Sequence, residues 1–173
     1  MKQWFMLTVI GSDQTGIVSG LTGALYQAGA NLGEASMARL GGNFTIMLMV
    51  ETQTDEAGLR RLLEPLARAK QLHIHIDRIE GRLHEHIEPN VRIDVHGADR
   101  PGIVAQVTAA LTAAGLNILD LDSDVGGTAD KPIYVMVIDG HVPGGLKAIL
   151  PALETVRLSG IEVKATAIET LVG

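Results

Sequence analysis

The sequence predicts an α+β protein of two ferredoxin-like βαββαβ domains, each an antiparallel sheet with both helices on one face. Three observations carry that prediction. Residues 11–35, GSDQTGIVSGLTGALYQAGANLGEA, align without a gap on residues 97–121, GADRPGIVAQVTAALTAAGLNILDL, with 11 of 25 positions identical at a spacing of 86 residues. That spacing is half of the 173-residue chain, so the repeat denotes two copies of one domain and not a solenoid, whose units are shorter and more numerous. Apolar residues alternate singly ahead of the second copy, as on a half-buried strand, and recur three and four apart inside both copies, as on one helix face.

The elements follow in the same order in each half. KQWFMLTVIG and NVRIDVHG are β-rich runs ending at Gly11 and Gly97, with Val91, Ile93 and Val95 on one face of the second. A helix follows each, with Ile17, Val18, Leu21 and Leu25 in one copy and Ile103, Val104, Val107 and Leu111 in the other forming its apolar stripe. Ala28-Gly29 and Ala114-Gly115 stop these helices, glycine being suited to the left-handed C-terminal position. Residues 30–51 and 116–140 each read as two strands around a Gly-Gly turn. DEAGLRRLLEPLARAK and PGGLKAILPALETVRLS are the second helices, and QLHIHIDRIE and IEVKATAIET the last strands. The predicted domains are residues 1–86 and 87–173, joined near the polar stretch His84–Asn90 with its Pro89.

Composition narrows the function. The chain is 46% hydrophobic and 20% charged, with a formal charge of −6, so it lacks the basic surplus that replaces counterions on nucleic acid. The absence of cysteine removes disulfides, thiolate catalysis and Cys-based zinc sites, and fits a reducing cytoplasm. The first residues are too short an apolar run for a signal peptide and no run approaches a membrane span, so a cytoplasmic protein is expected. Residues 1–86 carry 8 basic and 9 acidic side chains, residues 87–173 carry 6 and 11. The more acidic second domain would meet a basic protein surface, or simply keep the chain soluble.

The stretch DRPGIVAQVTAALTAAGLNI, Asp99 to Ile118, with SDQTGIVSGLTGALYQAGANL, Ser12 to Leu32, as its degenerate copy, resembles the ACT domain family of small-molecule-binding regulatory modules. A pair of such domains with no enzymatic or DNA-binding partner domain is similar to the group of glycine cleavage system transcriptional repressors. The resemblance implies that an amino acid, glycine or a similar small one, binds near the first strand-to-helix loop, often at a junction between two such domains. It also implies regulation through contact with a separate DNA-binding activator, without direct binding of nucleic acid or membrane. The implied ligand residues are Asp13, Gln14, Thr15, Gly16, Ile17, Val18 and Asn31 in the first domain, and Asp99, Arg100, Pro101, Gly102, Ile103, Val104 and Asn117 in the second. The first copy departs from the pattern, with Gln14-Thr15 in place of Arg100-Pro101, so the two copies are not expected to bind equally.

The residues of this loop fit two tasks. A helix N-terminus offers unpaired N–H groups and the positive end of the helix dipole, enough to hold a carboxylate without a basic side chain. Gly16 and Gly102 allow close backbone approach, and Asp13 or Asp99 would meet the ligand ammonium. The same residues suit a plain helix start, with the Asp as N-cap and Pro101 in the first turn. Asn31 and Asn117 are either further polar contacts or turn residues after the helix-ending glycine.

Other signals point to bland roles. Asp120, Asp122 and Asp124 would share one strand face, where a flat row suits a solvated surface or edge protection better than a calcium cage. His73, His75, His84 and His86 would bind a metal only if the linker folded back on the strand, so no metal or cofactor is expected. No phosphate loop, dinucleotide fingerprint or zinc-protease motif occurs, and no serine has a histidine beside it in sequence, so no enzymatic activity is expected. The chain thus reads as an amino-acid sensor that acts through protein contacts, as a homodimer if edge strands pair. Its alternatives are an interaction module without ligand, or a regulatory subunit of an amino-acid metabolic enzyme.

Overall fold

The computed structural model describes residues 2–80, 87–128 and 130–168. The chain divides into two compact units, Met1–Glu85 and His86–Gly173. Unit 1 runs β1 (Gln3–Ser12), α1 (Ile17–Gln27), β2 (Asn31–Leu40), β3 (Asn43–Thr52), α2 (Glu56–Lys70) and β4 (His73–Ile79). Unit 2 repeats this as β5 (Val91–Ala98), α3 (Ile103–Ala113), β6 (Asn117–Thr128), β7 (Lys131–His141), α4 (Leu146–Leu158) and β8 (Glu162–Ala167). The sheets have the strand orders β2-β3-β1-β4 and β6-β7-β5-β8, with every pairing antiparallel. Two ferredoxin-like βαββαβ folds of the predicted class are therefore present. Of the predicted linker, His84 and His86 lie outside the described residues, while Asn90 already belongs to unit 2, its side chain bridging both backbone groups of Val142.

The alternation of the central strands decides which face is covered. Phe5, Leu7 and Val9 point to the helix side of β1 and pair across to Val50, Leu48 and Ile46 of β3, and all six are buried. Ile17, Leu21 and Leu25 of α1 with Leu59 and Leu63 of α2 close the core above them. In unit 2, Val91, Ile93 and Val95 of β5 pack beneath Ile103, Val107 and Leu111 of α3 and Ile149 and Leu153 of α4. Aliphatic side chains of this kind contribute roughly 1.5–3 kcal/mol each on full burial, so two small cores are built almost without aromatic rings.

The repeat extends further than its identical residues. Pro65 lies inside α2 and Pro151 inside α4, again 86 residues apart. A proline has no N–H to give, so the carbonyls of Arg61 and Lys147 lose their intrahelical donor; both prolines are on the exposed side of their helices. Each edge strand after the first helix contains an irregularity, between Leu32 and Ala35 in β2 and between Ile118 and Asp120 in β6. The extra residue shifts the alternation that follows. In β6 it sets Asp120, Asp122 and Asp124 opposite Asp139, Val137 and Val135, on the face away from the helices and exposed to solvent. On the same face Arg92 grips Asp139 through two bonds, of 2.7 and 2.5 Å.

The helix caps depart from expectation. Neither Asp13 nor Asp99 is an N-cap: α1 and α3 are preceded by Gly16 and Gly102 in left-handed conformation, with no side-chain cap bond at either. The chain needs those residues to turn from strand to helix, so each Asp stands three residues too early to reach the first turn. Pro101 for the same reason sits in the turn before α3 and not inside the helix. The helix ends agree with the pattern, Gly29 and Gly115 both having positive φ. A side-chain cap does occur at α2, where the Asp55 carboxylate accepts from Gly58 N–H at 2.8 Å.

Asp55→Ala is accordingly expected to cost about 1 kcal/mol of stability in urea unfolding, while Asp99→Ala changes it by no more than about 0.5 kcal/mol. The Asp139 carboxyl is held below its ordinary value of 3.8 mainly by the hydrogen bond from Arg92. A depressed folded value means stability that is present above the unfolded value and is lost as pH falls through the folded one. Asp139→Asn should therefore lower stability at pH 7, and acid titration should show that difference shrinking below about pH 4.

Candidate functional site

In both units the first strand hands over to the first helix through four residues, 13–16 and 99–102. Gly16 (φ 88°) and Gly102 (φ 90°) lie where an L side chain is strained. That conformation bends the chain so that Ile17 and Ile103 enter the cores, 1% and 3% exposed. The first amides of α1 and α3 are thereby left without a side-chain acceptor, and the dipole of each helix has its positive end at the loop.

The loop of unit 1 is clasped to the end of α2. Gln14 Nε2 donates to the Lys70 carbonyl at 3.0 Å, and Lys70 Nζ returns a bond to the Thr15 carbonyl at 2.9 Å. Gln71 (φ 53°), left-handed at the helix end, closes α2 at this clasp. Asp13 is tied at its backbone, its N–H donating to the Gly42 carbonyl at 2.9 Å, and its carboxylate meets Arg39 of β2 at 2.7 Å. An open cleft of about 590 Å³ lies here, lined among others by Asp13, Gly16, Val18, Thr22, Met37 and Arg39. Unit 2 uses the same position differently: Arg100 donates to the Ser159 carbonyl and to Gln106 Oε1, both at 3.3 Å. A cleft of about 600 Å³ beside Asp99 includes His96, Asp130, Pro132 and Glu162; His96 and Glu162 pair across β5 and β8 on the sheet face away from the helices, so it is not the counterpart of the unit 1 cleft.

The expected ligand residues fall into three sets. Asp13, Gln14, Gly16, Ile17 and Val18 meet at one cleft, with Thr15 beside them in the clasp. Of the second copy, Asp99 lines the other cleft, Arg100 is spent on the end of α4, Ile103 is core, and Val104 packs partly buried against that core. Asn31 and Asn117 are not brought to either loop. Asn31 pairs with Glu51, which pairs with Trp4, eight residues along β1 from Ser12, so about 27 Å of strand separates it from the loop of its own unit. Asn117 stands opposite His141 at the corresponding far end of sheet 2.

Arg39 is the charged residue that loop-motif reading misses. Its signal is the Gly41-Gly42 turn, which places Leu40 against Asn43 and hence Arg39 against Phe44 on the helix side. The histidines are exposed on β4, His75 lying 3.2 Å from Asp77. Among the described residues no three His, Asp or Glu side chains gather around a metal-sized space.

Comparisons with known proteins add the kinship. Residues 3–77 and 91–157 each match the ACT domain family. The glycine cleavage system transcriptional repressor of Escherichia coli (strain K12) is 28% identical over 123 residues, which span 70% of this chain and 65% of that relative, just under two thirds of its length. An unknown protein from Galdieria sulphuraria has the same fold with a TM-score of 0.76 at 27% identity, covering 98% of this chain and 100% of that one. A further structure, provisionally described as a glycine cleavage system transcriptional repressor, gives 0.74 at 16% identity over 98% of this chain and 99% of that one, a likeness of fold.

Because the loop glycines are required by their φ, Gly16→Ala and Gly102→Ala should each lose about 1–2 kcal/mol in denaturant unfolding, although no neighbouring atom crowds a Cβ at Gly102.

Proposed function

The chain belongs to the ACT domain family, with two such domains in tandem, and on that premise we propose that it senses a small amino acid and signals through contact with a protein partner. The observation that carries this reading is the uncapped helix N-terminus beside an open cleft in unit 1, with a carboxylate at its edge. A carboxylate ligand completes the hydrogen bonding of the first helical turn, and an acidic side chain balances the ligand ammonium. Chemistry is not needed for this role, and the Escherichia coli relative is a repressor in name, so the chain is read as a non-enzyme.

The name of the Escherichia coli relative supports repression of glycine-cleavage genes; contact with a DNA-binding activator is the route the family resemblance implies, and glycine is the first ligand to try. A net charge of −6 speaks for a protein partner over nucleic acid. Association into a homodimer is supported by the edge strands β2 and β6, ten and twelve residues long, whose outer N–H and C=O groups suit pairing with a second copy. No helix among the described residues is long and apolar enough to cross a membrane, and a cytoplasmic sensor is proposed. Ligand occupancy would act by favouring one conformation over another, which requires unequal affinity for the two.

Isothermal titration calorimetry of the full chain against glycine, L-serine and a panel of other amino acids tests the sensing. Saturable heat at millimolar ligand or below is expected; a flat titration with all of them removes the ligand and leaves an interaction module. Co-purification separates the partner classes, a DNA-binding protein supporting the repressor reading and a metabolic enzyme the regulatory-subunit reading.

A further inference from the structure

We infer that unit 1, the copy with the degenerate motif, is the amino-acid sensor, and that Arg39 on β2 is its specificity-determining residue, joining the free N–H groups of α1 on the ligand carboxylate while Asp13 receives the ammonium. The inference rests on the amino-acid-binding reading above and adds to it a side chain outside the loop motif, together with a ligand class. Arg39 and Asp13 stand 2.7 Å apart with side chains 68% and 29% exposed. So exposed a pair contributes little by itself, and a zwitterion inserted between them leaves neither charge without a partner. The planar guanidinium matches a carboxylate through two parallel N–H bonds. The rest of the cleft wall is largely apolar, with Val18 and Met37 at 40% and 55% exposure beside buried Phe44. Such a wall favours an α-amino acid with an apolar side chain.

Unit 2 lacks the counterpart. Arg39 stands opposite Phe44, which stands opposite Gly11. In unit 2 the same register runs Val125, Tyr134, Gly97, so valine replaces arginine. A separate cleft beside Asp99 has the carboxylates of Asp130 and Glu162 and the His96 ring among its described lining residues, on the sheet face away from the helices.

The test is calorimetric titration of the full chain with L-valine, and with isovalerate and valinamide, which lack its ammonium and its carboxylate. It is run on the wild type and on Arg39→Val, Asp13→Asn and Asp99→Asn. Arg39→Val copies the residue of unit 2 at an exposed strand position that suits valine, and circular dichroism verifies its fold; Arg39→Gln serves as the second variant. L-Valine should bind the wild type and bind Arg39→Val, Arg39→Gln and Asp13→Asn roughly tenfold more weakly or worse. Asp99→Asn should bind as the wild type, and both analogues less well than L-valine. Unchanged affinity in both Arg39 variants, or loss in Asp99→Asn instead, overturns the inference while amino-acid binding stands. If the wild type binds neither L-valine nor any other amino acid, the sensing reading itself falls and the assignment falls with it.

Discussion

The left-handed backbone at Gly16 and Gly102 is the constraint on which the rest of each unit depends. A strand buried through Phe5, Leu7 and Val9, or through Val91, Ile93 and Val95, must give way within four residues to a helix lying on the same face. A residue of positive φ at the corner achieves that, and it drives Ile17 or Ile103 into the core as the first helical side chain. The same corner moves the preceding aspartate away from the helix axis. Neither Asp13 nor Asp99 is then needed to complete the helix, and each is left at the surface of a cleft.

On this shared corner the two units have diverged in what surrounds it. In unit 1 the position after the aspartate is Gln14, which joins Lys70 in a reciprocal clasp, and the neighbouring hairpin supplies Arg39. In unit 2 the basic residue sits in the loop itself, as Arg100, and bonds the end of α4. A guanidinium has thus been used for holding the loop in one copy, while in the other it lies at the cleft beside a carboxylate. The two copies therefore differ in how the loop is anchored.

Much of the fold was legible in the residues. Period-2 alternation in β5, three-and-four spacing in α1 and α3, and the paired Ala-Gly stops specify element order because each reflects burial or backbone geometry local to its own segment. The 86-residue repeat then made the two halves check one another. Of the two tasks the loop aspartates fit, capping falls away because an aspartate ahead of a helix suits an N-cap only if the helix begins at once, and that depends on the φ of the intervening glycine. Of the two readings Asn31 allows, a ligand contact or a turn residue after Gly29, the length of α1, eleven residues or about 16 Å of helix, favours the second, since it carries the chain to the other end of the sheet. Arg39 is 26 residues from Asp13 in sequence and joins it through two strand registers, so a reading confined to the loop passes over it. Counting outward from the Gly41-Gly42 turn recovers half of that relation.

The most direct test of where this protein holds its ligand is a backbone-amide NMR titration of the full chain with L-valine, following which residues respond. Binding in unit 1 predicts progressive, saturable shifts at Gly16, Ile17, Val18 and Ser19 and around Met37 and Arg39, with Gly102 to Ala105 unmoved. Shifts confined to Gly102 to Ala105, or none anywhere, would contradict it.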